Sequence, residues 1–257
     1  MAGEVAQGHA EAVQRLAGLL RDARSVVALT GAGISVPSGI PDFRTPGTGL
    51  WANVDPMEVA HIDAWRRDPA HFWHFYGDRF QTLRDKQPNG AHEALVELER
   101  RGILDAVITQ NIDMLHRRAG SREIVEVHGT IETSSCLMCG RRYELEVVRA
   151  RQLEALDGVP RCDCERPLKP DVVLFGELLS EGALERAATL AENADVLLCV
   201  GSSLEVWPVA QLPEVTHSAG GQVAIVTAGP TPYDRMAAVK LDGDVVAELQ
   251  AVVAALG

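Results

Sequence analysis

The chain has 257 residues and a formal net charge of −12 at pH 7, a length that suffices for one α/β domain with a small insert. The acidic balance argues against direct binding of nucleic acid, which needs basic surface, although it suits lysine-rich protein partners or solubility alone. The sequence shows no secretory pattern and no apolar run near the roughly 18 residues of a membrane span, so we expect a cytoplasmic protein with no membrane partner and no required oligomer.

The pattern of the first 44 residues predicts a helix, a buried strand and the start of a long functional loop. Apolar residues recur at helical spacing over residues 8–23, and residues 25–29 form an apolar strand. The strand leads into TGAGISVPSGIPDFR, residues 30–44. Gly31 and Gly33 would let the backbone approach a bulky anion, as in nucleotide-binding turns, although an ordinary turn is an equally good interpretation of a lone Gly-x-Gly. The third glycine of the dinucleotide fingerprint is missing, and we expect no helix directly after the turn.

Prolines keep the chain irregular up to residue 56, and loops of this length are usually functional. Within the loop, Asp42, Phe43 and Arg44 place an acid, an aromatic ring and a guanidinium in succession. An aromatic-rich helical insert follows, extending to about residue 83, and we assign most of its rings to a core.

The middle of the chain predicts polar residues at the ends of two further strands. A helix over residues 92–101 precedes a strand over 103–109, which ends at Gln110-Asn111-Ile112-Asp113. Another strand over 124–127 ends at His128. Ligands of open parallel sheets bind beyond the carboxyl ends of the strands, so these residues share a crevice with the glycine turn.

The polar residues also have plainer interpretations. Asn111 and Asp113 suit the cap of a helix over residues 112–118, and both roles can hold together. A single histidine is more often a packing or surface residue than a catalyst, and we apply that interpretation to the other seven. His128 differs because it follows a strand, precedes Gly129 and shares the crevice.

The remaining elements complete an α/β pattern. They are a strand over 171–175, a helix over 181–193, a strand over 195–200 with a small-residue turn after it, strands over 222–227 and 239–241, and a helix over 245–256. We predict a doubly wound, mostly parallel, Rossmann-like sheet. We assign to it approximately residues 8–40, 88–131 and 178–257, and we assign a smaller domain to a helical insert over 41–87 and a zinc-ribbon insert over 132–177.

Four of the five cysteines have the spacing of a structural zinc site. Cys136 and Cys139 are separated by two residues, and Cys162 and Cys164 by one. Four thiolates fill a tetrahedral site, so the zinc would be structural, one per chain. The alternative is four free thiols in a surface hairpin. The tight second pair leaves its local geometry open, and Cys199 lies in an apolar strand and is assigned to the core.

Several long segments resemble the sirtuins, the NAD-dependent protein-lysine deacylases. Between about Val26 and Leu249 they are GAGIS, SGIPDFR, TQNID, HG, the four cysteines, VVLFGE and GSSLEVWPVA. The resemblance implies a deacetylase that uses NAD as co-substrate and acts on acylated-lysine proteins or peptides. It would transfer the acetyl group to ADP-ribose and release nicotinamide and O-acetyl-ADP-ribose.

The resemblance also implies residue roles. His128 would be the general base, and Asn111 and Asp113 would hold the nicotinamide end. The residues implied for NAD are Gly31, Ala32, Gly33, Ser35, Asp42, Phe43, Arg44, Gln110, Asn111, Ile112, Asp113, Gly201, Ser202, Ser203, Thr227, Asp244 and Val245. Those implied for the acyl-lysine peptide are Tyr76, Arg79, Val173, Phe175, Gly176, Glu177 and Val206.

Two positions depart from or refine the family pattern. Thr227 stands where sirtuins usually have an asparagine that contacts the adenosine ribose, and its hydroxyl reaches less far. Tyr76 and Arg79 match a pair that reads the carboxylate of succinyl- or malonyl-lysine in one sirtuin class, which usually carries threonine where this chain has Asp42. A core tyrosine and a solvated arginine are an equally good interpretation.

We therefore expect deacetylation, with desuccinylation or demalonylation as an alternative. A mono-ADP-ribosyltransferase is a second alternative. The missing fingerprint disfavours a hydride-transferring oxidoreductase, and His128 with Asn111 and Asp113 disfavours an NAD-sensing zinc-ribbon interaction module without catalysis.

Overall fold

The computed structural model describes residues 2–42, 47, 49 and 54–257. Phe43 and Arg44, to which the resemblance assigns a role at the cofactor site, lie outside the described residues. Among the helices of the described part, none combines the length and the apolar character that crossing a membrane requires.

The elements alternate between helix and strand along the chain. The helices are α1 (Ala2–Asp22), α2 (Pro56–Val59), α3 (Ile62–Arg67), α4 (Pro69–Asp85), α5 (Gly90–Arg100), α6 (Leu115–Ala119), α7 (Leu145–Glu154), α8 (Glu181–Asn193), α9 (Leu212–Ser218) and α10 (Val245–Ala255). The strands are β1 (Val26–Thr30), β2 (Ala106–Thr109), β3 (Ile124–Glu126), β4 (Gly129–Ser135), β5 (Arg142–Glu144), β6 (Lys169–Val172), β7 (Val196–Val200), β8 (Gln222–Val226) and β9 (Val239–Leu241).

A six-stranded parallel sheet carries the larger part of the fold, with the strand order β3-β2-β1-β7-β8-β9. The order changes direction between β1 and β7, which makes their carboxyl ends the switch point where such sheets bind ligands. The predicted doubly wound parallel sheet is confirmed.

Side chains of β1 alternate between two hydrophobic cores, one on each face of this sheet. Val26 and Ala28 belong to the core that α1, α5 and α10 cover. Val27 and Leu29 belong to the opposite core, beneath α8 and α9. Both faces of β1 are therefore buried, as expected for a central strand of a parallel sheet.

A second unit combines the antiparallel sheet β5-β4-β6 with helices α2, α3, α4 and α7. Its core contains the aromatic side chains of α4, among them Phe72, Trp73 and Phe80, so the predicted core role of these rings is confirmed. The indole N–H of Trp73 donates to the carbonyl of Leu168 at 2.9 Å and joins α4 to the chain entering β6.

Several predicted boundaries are wrong. Helix α1 begins at Ala2, because alanine, glutamate and glutamine extend it ahead of the apolar pattern. A 3₁₀ helix, Ala32–Ser38, begins within the glycine turn, directly after Gly31, where no helix was expected. Strand β2 begins only at Ala106, because the N–H groups of Ile103 and Leu104 turn back to the Leu98 carbonyl.

Two further segments differ from their predicted structure. The helix predicted over residues 112–118 is α6, which begins at Leu115 because Met114 before it is left-handed, with φ 64. The Asp113 carboxylate accepts the Leu115 N–H at 2.9 Å. The strand predicted over 171–175 is β6, Lys169–Val172, which pairs antiparallel with β4 outside the parallel sheet.

Candidate active site

The glycine turn after β1 packs directly against the turn after β7. The Gly33 N–H donates to the Gly201 carbonyl at 2.8 Å, and the Gly31 N–H donates to the Val200 carbonyl at 3.1 Å. A Cβ atom at Gly33 would lie 2.7 Å from the Gly201 oxygen, closer than real Cβ atoms approach. Glycine is required here for contact between two backbones, which places both turns at the switch point.

Asn111 and Asp113 anchor the 3₁₀ helix through hydrogen bonds to Gly31 and Ser35. The Asn111 amide donates to the Gly31 carbonyl at 3.0 Å and to the Ser35 hydroxyl at 3.2 Å. The Ser35 hydroxyl in turn donates to the Asp113 carboxylate at 2.6 Å. Both amide hydrogens of Asn111 are therefore used within the protein, and its carbonyl oxygen is the atom available to a ligand.

Asp113 is buried at 5% exposure. Burial raises the pKa of its carboxyl, and the hydrogen bonds from Ser35 and Leu115 offset part of that rise. A buried acid beside an amide oxygen offers acceptors to a neutral donor such as a carboxamide, so this corner fits the nicotinamide end of NAD.

His128 follows β3 and is fixed by one hydrogen bond. Its Nδ1 lies 2.9 Å from the Gln110 carbonyl oxygen, which can only accept, so Nδ1 carries the proton and Nε2 is left as an acceptor. Burial lowers the pKa of His128, and the bond to Gln110 offsets part of the shift. The Gln110 N–H donates to the Thr30 carbonyl at the end of β1, which ties the imidazole to the crevice.

Two other histidines support the glycine turn from the protein interior. His116 lies 2.9 Å from the Thr30 hydroxyl, and its ring centroid is 4.9 Å from that of His92. Burial lowers the pKa of His92 to about 4, so its ring is neutral at pH 7. Beside His92, the Asn89 amide donates to the Ile34 carbonyl and the Ser38 hydroxyl, both at 2.8 Å. Sequence reasoning gave His92 and His116 only a packing or surface role, since neither follows a strand.

The residues assigned to the adenosine end lie after β7, β8 and β9. Ser202 is buried, and its hydroxyl accepts from the Gln110 amide at 2.9 Å. Thr227 follows β8 and is 8% exposed. The Asp244 carboxylate caps α10 by accepting from the N–H groups of Val246 and Ala247, and Val245 is buried behind it.

The segment assigned to the peptide edge leaves β6 beside His128. The Val173 N–H donates to the His128 carbonyl at 2.8 Å. Phe175 pairs through its backbone with Ala60 and Ile62 of the helical insert, and its side chain is exposed. Gly176 has φ 82, a left-handed turn conformation that glycine adopts readily. Val206 lies half-buried beyond the Gly201 turn.

Tyr76 and Arg79 make internal contacts on α4. Tyr76 is buried, its ring stacks on Phe80, and burial raises the pKa of its hydroxyl. The Arg79 guanidinium donates to the Phe75 carbonyl and lies 3.7 Å from the centroid of the Phe75 ring. These contacts fit the structural interpretation of the pair, and a role in acyl selection stays a prediction.

The four cysteines of the zinc prediction converge. Their sulfur atoms all lie within 4.8 Å of one another, with Sγ separations of 3.5 Å between Cys136 and Cys164 and 3.4 Å between Cys139 and Cys162. Four thiolates at about 2.3 Å from one zinc ion would lie about 3.8 Å apart in a tetrahedron, so the cluster fits a structural zinc site. The fifth cysteine, Cys199, is buried in β7, as predicted.

Comparisons with a family model, with curated relatives and with solved structures all lead to the same protein family. Residues 31–208 match the model of the Sir2 family. An NAD-dependent protein deacetylase of Thermotoga maritima is 44% identical over 229 residues, which are 89% of this chain and 92% of the relative.

Solved structures of Sir2 proteins are similar as well. A variant with a deacetylated p53 peptide and 3'-O-acetyl ADP ribose superposes with a TM-score of 0.88 and 42% identity, covering 93% of this chain and 96% of that one. A complex of Sir2 with a p53 peptide and NAD+ has a TM-score of 0.85 and 42% identity, covering 92% and 95%.

Proposed function

The chain belongs to the Sir2 family, and from this membership we propose that it is an NAD-dependent protein-lysine deacetylase. The activity of its relatives and the molecules bound to its structural neighbours support the proposal. Within the chain itself, the observation that carries it is the His128 imidazole, held at the edge of the crevice with Nε2 left as an acceptor.

NAD would occupy the crevice between the turns after β1 and β7. When bound, it supplies the ADP-ribosyl group that accepts the acetyl group, and nicotinamide leaves. Asn111 and Asp113 would receive the nicotinamide carboxamide, because together they present an amide oxygen and a buried carboxyl. The turn at Gly201, with Ser202, Ser203 and Thr227, would contact the adenosine side, and Gln110 would contact the ribose through an amide already oriented by Ser202.

His128 would act as general base at Nε2. The Gln110 carbonyl fixes the tautomer and the ring plane, so that the lone pair needs no reorientation to accept a proton. The lowered pKa keeps the ring neutral at physiological pH, which is the form that a base requires. The acyl-lysine peptide would lie along Val173–Glu177, which is bonded to the backbone of His128 itself.

The remaining proposals concern the zinc ion, the division into domains and the cellular location. The zinc ion would hold the antiparallel sheet and leave no open coordination position for catalysis. We propose the division into a Rossmann-like part and a smaller inserted domain with the bounds derived from the sequence. We also propose a cytoplasmic location, which a reduced four-cysteine cluster supports.

The substitution His128→Ala tests the proposal. We expect kcat/KM for an acetyl-lysine peptide to fall by a factor of roughly 100 or more, since a positioned base contributes that much. His74→Ala, which removes an exposed histidine of α4, is the matched control and is expected to retain the activity. A wild-type protein that binds NAD but turns over no acetyl-peptide, or an active His128→Ala variant, would contradict the proposal.

A further inference from the structure

Lys169, the first residue of β6, is a lysine buried at 6% exposure. Its ammonium group lies 3.0 Å from the Pro170 carbonyl, 2.8 Å from the Val172 carbonyl and 2.8 Å from the Glu177 carboxylate. An ammonium has three hydrogens to donate, and these three acceptors match them in number.

The same carboxylate oxygen organises the turn that follows β6. Oε2 of Glu177 also accepts the Leu174 N–H at 2.9 Å, and the Glu177 N–H donates back to the Leu174 carbonyl at 3.0 Å. Lys169 therefore bridges the end of β6 to the far side of a tight turn that runs from Val172 to Glu177.

This turn separates the crevice from the helical insert. On one side, the Val173 N–H is bonded to the His128 carbonyl. On the other side, the Phe175 N–H donates to the Ala60 carbonyl at 2.9 Å. A shift of the turn would move the backbone next to the proposed base without touching the glycine turns that face NAD.

A buried ammonium such as that of Lys169 is not explained by its contribution to stability. Removing it from water costs several kcal/mol in general, and a well-packed apolar side chain often holds such a position as well or better. What an apolar residue cannot do is fix two backbone carbonyls and a carboxylate in one geometry. The arrangement of Lys169 is suited to defining the shape of the turn.

We propose that Lys169 is a positioning residue for the acyl-lysine peptide, a role that rests on the deacetylase function proposed above. By holding Val172 and Glu177 together, it sets the edge along which an extended peptide adds as a strand. Lys169 itself is buried and acts through Glu177.

The test is a set of substitutions assayed separately for peptide and NAD. In Lys169→Met, we expect the KM for an acetyl-lysine peptide to rise, so that kcat/KM falls between about tenfold and 100-fold, as misplaced binding groups cause. The KM for NAD should change by less than about twofold. In Lys169→Met/Glu177→Gln, part of the loss should be recovered, because the second change removes the carboxylate left without its cation.

Lys240→Met is the matched control. Lys240 pairs with Asp234 and the Gly229 carbonyl, both at 2.7 Å. It lies on β9, at the opposite edge of the parallel sheet from β3, so its loss should leave the KM for peptide unchanged. If Lys169→Met does not fold, as judged by near-ultraviolet circular dichroism and zinc content, Glu177→Leu takes its place. It should show the same rise in the KM for peptide.

Three results would overturn the inference. The first is an unchanged KM for peptide in a folded Lys169→Met, or in Glu177→Leu where Lys169→Met does not fold. The second is an equal rise in both KM values, which a general structural role would produce. The third is absence of peptide turnover in the wild type, which would overturn the proposed function together with this inference.

Discussion

His128 combines two properties that a general base needs. The Gln110 carbonyl orients the ring, and burial keeps it neutral. A neutral imidazole can accept a proton only above its own pKa, so the acid limit of activity reports that pKa.

We expect kcat/KM to stay on its plateau below pH 6.5, the ordinary value for histidine, because the pKa of His128 is lowered. Asp113 also loses its charge as the pH falls, at a pKa that burial raises above the ordinary value, so its protonation contributes to the acid limb together with that of His128. The measurement is a pH profile of kcat/KM with saturating NAD. An acid limit at or above 6.5 would contradict the environment assigned to His128.

For individual residues, the sequence identified the candidate site residues but not the contacts that they make. Asn111, Asp113 and His128 stand out because each closely follows an apolar strand. The bond from Ser35 to Asp113 spans 78 residues, and no local pattern announces it. No local pattern singles out Lys169 either, since its burial depends on packing that only the folded chain provides.

The cysteine pairs Cys136/Cys139 and Cys162/Cys164 each lie in a turn, and the second turn has one residue fewer between its cysteines. In the first turn, the Gly140 N–H donates to the Cys136 carbonyl at 2.9 Å, and Gly140 has φ 72. In the shorter second turn, the Glu165 N–H donates to the Cys162 carbonyl at 2.8 Å, and Glu165 has φ 64. The residue after the second cysteine is left-handed in both turns, so the tight pair still directs its sulfurs to the cluster.

The four-cysteine cluster leads to a prediction about the smaller unit that contains the antiparallel sheet. Cys139→Ser should lose the metal and make the chain between residues 132 and 177 sensitive to protease, because a small module without its zinc rarely keeps its fold. Cys199→Ala, which changes a cysteine buried in β7, should keep about one zinc per chain.

The measurements are metal analysis and limited proteolysis of both variants. Full zinc retention in Cys139→Ser, or zinc loss in Cys199→Ala, would contradict the assignment. The cysteine spacing predicted this site from the sequence alone, whereas the left-handed Glu165 that accommodates the short pair was not predictable, because glutamate has no preference for that conformation.

The described part of the molecule combines a six-stranded parallel sheet with a smaller unit built on the sheet β5-β4-β6. Alternating strands and helices predicted the doubly wound sheet, but the strand order that puts β1 beside β7 comes from long-range pairing. That order brings the turns at Gly31 and Gly201 into contact, and the glycines permit the approach. Of the two roles considered for Asp113, helix cap and ligand contact, the folded chain shows its carboxylate accepting from the Leu115 N–H and the Ser35 hydroxyl, and the ligand contact stays a prediction.

The most direct test is a mass balance of products from acetyl-lysine peptide, NAD and the purified protein, measured by mass spectrometry. The account predicts deacetylated peptide, nicotinamide and O-acetyl-ADP-ribose in equal amounts, with a succinylated peptide run in parallel to compare acyl groups. ADP-ribose attached to protein, reduced nicotinamide, or acetyl groups that remain on the peptide while NAD is consumed would contradict it.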